Sequence, residues 1–375
     1  MTVANSASVH RTVARTAALL LLAILTAGCG SGAKLTATVT SPTSPTSPTS
    51  PTTTKAPLHG LVSMNSENFV SNPALTPDNT QTEPNADPNV YVASVILVTW
   101  EQLQPTNGST LNTTAIESGL AAIASYNAAH PGHTMVGKLR VFAGINTPAW
   151  ALAIDGGPVT ATINGTTGSL AKFWTADYAT AWTNLQTQLA AVYDKDARIG
   201  EVAVSGCASR TAEPFIFTTD PSVIAVAQAA GYTDAQFENC LSTMATQYAA
   251  WTITPLDYSF NPFNHIDTGV AVTDTNFPIQ LMTAWRATLG TARGVLANHG
   301  LQPTLTTGAV PLYAEFTVLG PPIEFQSYGP SVNWPQTIAY GLTFNPSEIE
   351  IWQTTQGGGY AVITLTQLQQ WAAEL

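Results

Sequence analysis

Basic residues are scarce in this chain: lysine and arginine total 12 among 375 residues, against 23 aspartates and glutamates. Four of the 12 precede residue 58, so residues 58–375 carry 8 basic and 23 acidic groups, a net charge of −15. A domain of that sign repels phosphate backbones and anionic headgroups, which argues against nucleic acid or anionic lipid as partners. Six histidines are scattered and three cysteines show no paired spacing of a zinc site, so neither a metal nor another cofactor is expected. The chain lacks a Gly-x-Ser-x-Gly elbow. Gly357-Gly358-Gly359 is not followed by the Lys-Ser or Lys-Thr of a phosphate cradle. Charged residues make up only 9% of the chain, and Thr, Asn, Gln and Ser supply much of its polarity, which suits a neutral, hydroxyl-rich ligand.

Long apolar runs are also missing. The one near the start, Ala17 to Ala27, is too short to span a bilayer readily. It follows Arg11 and Arg15 and ends in Leu25-Thr26-Ala27-Gly28-Cys29, so residues 1–28 read as a secretory signal peptide. Leu-Thr-Ala-Gly-Cys closely resembles the bacterial lipobox, a resemblance that implies lipidation of Cys29 and anchoring at the extracytoplasmic side of the cell membrane. The membrane would then be a partner through the lipid alone.

Residues 29–57 are rich in Ser, Thr and Pro and include the repeat Ser41-Pro42-Thr43, Ser44-Pro45-Thr46, Ser47-Pro48-Thr49. With little apolar surface to offset ordering entropy, this linker is expected to stay extended, reaching roughly 80 Å at about 3.1 Å per residue. In an exported protein the two remaining cysteines, Cys207 and Cys240, suggest a disulfide. Asn107, Asn112 and Asn164 begin acceptor sequons that read as surface turns.

Residues 58–375 suit one large domain. Apolar runs of strand length alternate with segments of helical period, the pattern of parallel strands joined by crossover helices. Strands are expected at Gly60–Asn65, Tyr91–Thr99, Gly137–Ala143, Gly200–Ser205, Leu256–Asn261, Pro303–Val310, Pro322–Ser327 and Glu348–Gln353. Helices are expected at Thr114–Ala129, around Tyr178–Tyr193, at Asp234–Trp251, Pro278–Asn298 and Leu365–Leu375. Eight strands so arranged predict an α/β fold, a (β/α)8 TIM barrel, whose functional groups lie at the carboxyl ends of the strands.

The last two strands carry acids on one face. Glu324 and Gln326 alternate with Ile323 and Phe325, and Glu348, Glu350 and Trp352 alternate with Ile349 and Ile351. A parallel barrel strand buries both faces, so such acids either serve a site or form an internal hydrogen-bond network.

Several segments resemble TIM-barrel glycoside hydrolases of the β-galactosidase-like families. Val98-Thr99-Trp100-Glu101-Gln102-Leu103-Gln104-Pro105 is similar to their strand-two segment. Arg140 to Trp150, with Asn146 near its end, is similar to strand three, and Val202 to Gly206 followed by Glu213-Pro214 is similar to strand four. The resemblance implies a general acid/base at Glu213 and a second carboxylate at Glu324, with an oligosaccharide or polysaccharide as substrate. Trp100, Glu101, Asn146, Trp150, Gln326, Glu350 and Trp352 are the candidate substrate contacts, and Glu350 is also the rival for the second carboxylate. Ala212 stands where the family often has Asn, and Glu324 lies deeper than a strand-tip nucleophile. A glycan- or solute-binding lipoprotein without catalysis is the competing expectation, and a structural envelope lipoprotein a third.

Overall fold

The computed structural model describes residues 54–64, 90–163, 166–209, 212–327, 333–351 and 363–375. Expectations for the signal peptide, Cys29, most of the linker, Asn164, Trp352 and the Gly357–Gly359 run fall outside these residues. Eight parallel strands close into a barrel: β1 (Gly60–Ser63), β2 (Tyr91–Thr99), β3 (Val136–Phe142), β4 (Ile199–Val204), β5 (Leu256–Ser259), β6 (Gly294–Leu301), β7 (Ile323–Ser327) and β8 (Glu348–Ile351). Each pairs with its neighbours in sequence, and β1 pairs with β8 through Leu61↔Ile349 and Val62↔Glu350.

Helices cover the outside: α1 (Thr114–Ala129), α2 (Ala176–Tyr193), α3 (Pro221–Ala229), α4 (Asp234–Ser242), α5 (Asn276–Arg293), α6 (Val310–Leu319), α7 (Trp334–Leu342) and α8 (Leu365–Glu374). Their starts are locally encoded. Thr175 and Thr233 accept backbone N–H bonds as N-caps of α2 and α4, and Thr364 with Gln367 forms a capping box at α8. Two antiparallel hairpins, Val159–Ile163 with Thr166–Leu170 and Phe263–His265 with Val272–Asp274, interrupt the alternation after β3 and β5.

Because side chains alternate along a strand, the barrel has two cores. Outward residues, including Ile96, Val98, Leu139, Val141, Leu256, Leu296, Ile323, Phe325 and Ile349, join the helices in one large apolar cluster. Inside, Leu58, Val62, Met64, Ala93, Val95 and Leu97 form a separate apolar cluster along β1 and β2. The lumen also buries the charged residues Lys138, Arg140, Glu201, Asp257, Glu324, Glu348 and Glu350.

The chain enters the fold ahead of residue 58. Lys55 donates from its backbone to Ile253 O and from its ammonium to Asp196 O, Ile199 O and Thr254 Oγ1, tying it to the amino-terminal end of the barrel. The expected helix Asp234–Trp251 is shorter, ending at Ser242 before a separate turn at Met244–Gln247. The larger correction concerns the sixth strand. It is Gly294–Leu301 rather than Pro303–Val310, and Val310 instead begins α6. The chain leaves helical geometry at Gly290, whose φ of 66° is a left-handed conformation that glycine adopts without a Cβ penalty.

Candidate active site

Lateral neighbours in a parallel sheet project to the same side, so register identifies the lumen. Lys138 is level with Glu201, Ala203 with Asp257, Ala297 with Glu324, Glu324 with Glu348, and Gln326 with Glu350. Lys138 on β3 extends into the middle of this ring. Its Nζ lies 2.9 Å from Glu201 Oε1, 2.9 Å from Asp257 Oδ2, 3.2 Å from Glu348 Oε1 and 2.9 Å from Glu350 Oε1. Burial works against the ammonium, but these four carboxylates raise its pKa well above the ordinary lysine value. Arg140, two residues on, donates from Nη2 to both oxygens of Glu350 at 2.7 and 2.8 Å and from Nη1 to Gln326 Oε1 at 3.2 Å.

These contacts separate the two candidates for the second carboxylate. Glu350 is buried, which alone would raise its pKa, yet Arg140 and Lys138 hold it down at about 2. It is a committed counter-ion of the lumen. Glu324 is fully buried and, among the described residues, neither of its oxygens accepts a hydrogen bond. Burial raises its pKa to about 7, with repulsion from Glu350 adding to the effect and Lys138 and His299 opposing it.

Glu213 reaches the same place from the loop after β4. Cys207 at the start of that loop is disulfide-bonded to Cys240 on α4, with Cα atoms 6.1 Å apart. Phe215 packs on Tyr258 and Phe260, and Ser209 Oγ donates to Ile216 O, closing the turn around Glu213. At the tip of β3, Gly144 has φ of 59°, and a Cβ there would sit 1.8 Å from Ser209 O. Only glycine permits this contact, by which the β3 and β4 loops meet.

Between the two acids stands His299, near the end of β6. Its Nδ1 is 3.6 Å from Glu213 Oε1 and its Nε2 is 3.5 Å from Glu324 Oε2, distances long for hydrogen bonds but short for electrostatic pairing. Burial would lower its pKa, but Glu324 and Glu213 raise it to about 10, so the ring is an imidazolium at neutral pH. Because both carboxylates touch one ring, these oxygens are at most about 9 Å apart, within the roughly 5–9.5 Å over which paired carboxylates act on glycosidic bonds.

The other expected contacts are dispersed. Trp100 is fully buried, ringed edge-on by Trp150, Tyr178 and Trp182, with Nε1 donating to Gln104 Oε1. It is packing and offers no face to a sugar, which corrects the expectation. Glu101 is exposed on the short helix Trp100–Leu103, Asn146 is half-buried in the turn after β3, and Trp150 is half-buried with its Nε1 on Gln104 O. Gln326 and Glu350 are bound to Arg140 inside the lumen. His299, Lys138, Arg140, Glu201 and Asp257 were not singled out as site residues from sequence. A lysine and an arginine alternating with Leu139 and Val141 in β3 are the signal that would have indicated an inward-facing charged stripe.

No protein-family model matches the chain, and comparison with curated proteins finds no relative. Solved structures share the fold. The catalytic domain of β-amylase from Paenibacillus polymyxa aligns with 84% of this chain and 98% of its own, at 10% identity and a TM-score of 0.51. A β-galactosidase from Rahnella sp. R3 aligns over 86% of this chain and 57% of its own, at 12% identity and a TM-score of 0.46. GH5_18 from Bifidobacterium longum, in complex with Manβ1-4GlcNAc, aligns over 85% and 78%, at 12% identity and a TM-score of 0.48. The match to the β-amylase domain shows the shared fold alone, a closed TIM barrel. Because that architecture serves many chemistries, function has to be argued from the site.

Proposed function

We propose that this chain is a glycoside hydrolase-like protein that cleaves an oligosaccharide or polysaccharide with Glu213 and Glu324, and that it is exported and held at the membrane through lipid on Cys29. The observation that supports this most is the convergence of the two acids on opposite nitrogens of His299, Glu213 from the loop after β4 and Glu324 from the second position of β7 inside a closed barrel. Glycoside cleavage needs one carboxyl group to protonate the leaving oxygen and another to attack or to activate water. Glu213, about one-fifth exposed, is on the solvent side and is positioned to act as the acid/base. Glu324 lies beneath the imidazole, so the His299 ring must turn aside before an anomeric carbon or a water can reach it. The test is turnover of a panel of aryl glycosides and polysaccharides by wild type and Glu213→Gln. Turnover by wild type that the variant loses supports the reading, and no turnover on any substrate refutes it.

A second reading is favoured by the complete burial of Glu324: a barrel that binds glycans at its rim without cutting them. Glycan retention by a wild-type protein that shows no turnover would select this reading.

A further inference from the structure

The polar half of the lumen holds more acid than its cations can match. Among the described residues, Glu201, Asp257, Glu324, Glu348 and Glu350 are buried there with two permanent cations, Lys138 and Arg140. The two cations are unevenly placed. Lys138 serves Glu201, Asp257, Glu348 and Glu350, and Arg140 serves Glu350. Among the described residues, neither of these two cations forms an ion pair at Glu324. There, donor atoms of Asp257, His299 and Glu324 lie within 4.8 Å of one another, all buried.

Several of these atoms lack a partner. Among the described residues, both oxygens of Glu324 and Asp257 Oδ1 are buried without a hydrogen bond, while Asp257 Oδ2 has Lys138 Nζ at 2.9 Å and His299 Nε2 faces Glu324 Oε2 at 3.5 Å. Orphaned polar atoms in such numbers are rare in a folded interior and point to an unseen partner. We propose that Asp257, His299 and Glu324 form a binding site for one divalent transition-metal ion, such as Mn2+ or Zn2+. Binding displaces a proton from the His299 imidazolium, and one neutral imidazole nitrogen with carboxylate oxygens suits such ions better than Ca2+ or Mg2+, which prefer oxygen throughout. Bonds of about 2.1 Å need donors roughly 3–4 Å apart, so small side-chain rotations complete the set. The three ligands come from three strands, β5, β6 and β7, which is why residue spacing gave no sign of a metal and led to the contrary expectation.

The site goes beyond the proposed hydrolysis and shares Glu324 with it, so a bound ion and a free Glu324 carboxylate are alternative states of one lumen. Binding can be measured without any sugar. Protein stripped with a chelator is titrated with Mn2+ and followed by electron paramagnetic resonance, and with Zn2+ by calorimetry, at neutral pH. Wild type is expected to take up one ion per chain. His299→Gln and Asp257→Asn should each weaken uptake at least tenfold, and Glu374→Gln, at the exposed end of α8, should retain it. Circular dichroism identifies the variants that remain folded, and His299→Gln, which keeps the side chain polar, provides the test if Asp257→Asn does not fold. No stoichiometric uptake by wild type, or uptake unchanged in folded His299→Gln, overturns the site. Neither outcome bears on glycoside turnover, which is assayed separately in chelator.

Discussion

Arg140 Nη2 grips both oxygens of Glu350, at 2.7 and 2.8 Å, inside a barrel where the pair is almost wholly shielded from water. Such a fork is strong once formed, but breaking it strands a charge. Arg140→Met should therefore cost on the order of 3–5 kcal/mol of unfolding free energy, read from denaturant melts at pH 7. The same pairing sets an acid limit. The folded pKa of Glu350, about 2, lies below the ordinary glutamate value, so its contribution is complete above about pH 4.3 and is lost as pH falls toward 2. Wild-type stability should drop through that window, and Glu350→Gln should flatten the drop while lowering stability at neutral pH.

Glu348 should behave in the opposite way. Burial and its neighbour Glu201 push its pKa well above the ordinary range, so the folded protein keeps a proton that the unfolded chain releases. Stability then declines as pH rises above about 4.3, through the interval up to the folded value. Glu348→Gln imitates the protonated form. It should raise the melting temperature at pH 8 relative to wild type and leave it nearly unchanged at pH 4, measured by calorimetry.

Cys207 and Cys240 close a loop with a sequence separation of 33 that contains Glu213. In the chain-entropy account a loop of that size stabilises the fold by roughly 3–4 kcal/mol. A Cys207→Ser, Cys240→Ser double variant should lose about that much in urea melts. If the bond also fixes the β4 loop, any glycoside turnover found for wild type should fall in this variant at temperatures where the fold persists.

Much of the fold was legible because its signals are local. β2 and α1 match their expected bounds because Tyr91–Thr99 is mainly apolar and rich in β-branched residues, and Ile116, Leu120 and Ile123 keep helical spacing. The disulfide was legible from two cysteines in a domain expected to be exported, and the lumen face of β7 and β8 from alternation. The sixth strand was not. Leu281, Met282, Trp285 and Leu289 lead into Val295 and Leu296 with no proline between, so the apolar spacing reads as one helix as far as Asn298. The break is made by backbone freedom at Gly290 and completed by pairing of β6 with β5 and β7, neither of which is a local property. Misplacing that strand hid His299, the residue on which both acids converge. The metal-ligand set was hidden for a related reason, since closure of the barrel brings together residues far apart in sequence.

The most direct measurement of the central claim is the kcat/KM of Glu213→Gln, Glu324→Gln and the double variant on the best substrate found for wild type. If the two acids act as one unit across His299, each single variant should lose at least about a thousandfold and the double variant little more, because groups acting in one step are not additive. A folded Glu324→Gln that keeps wild-type kcat/KM would contradict the assignment.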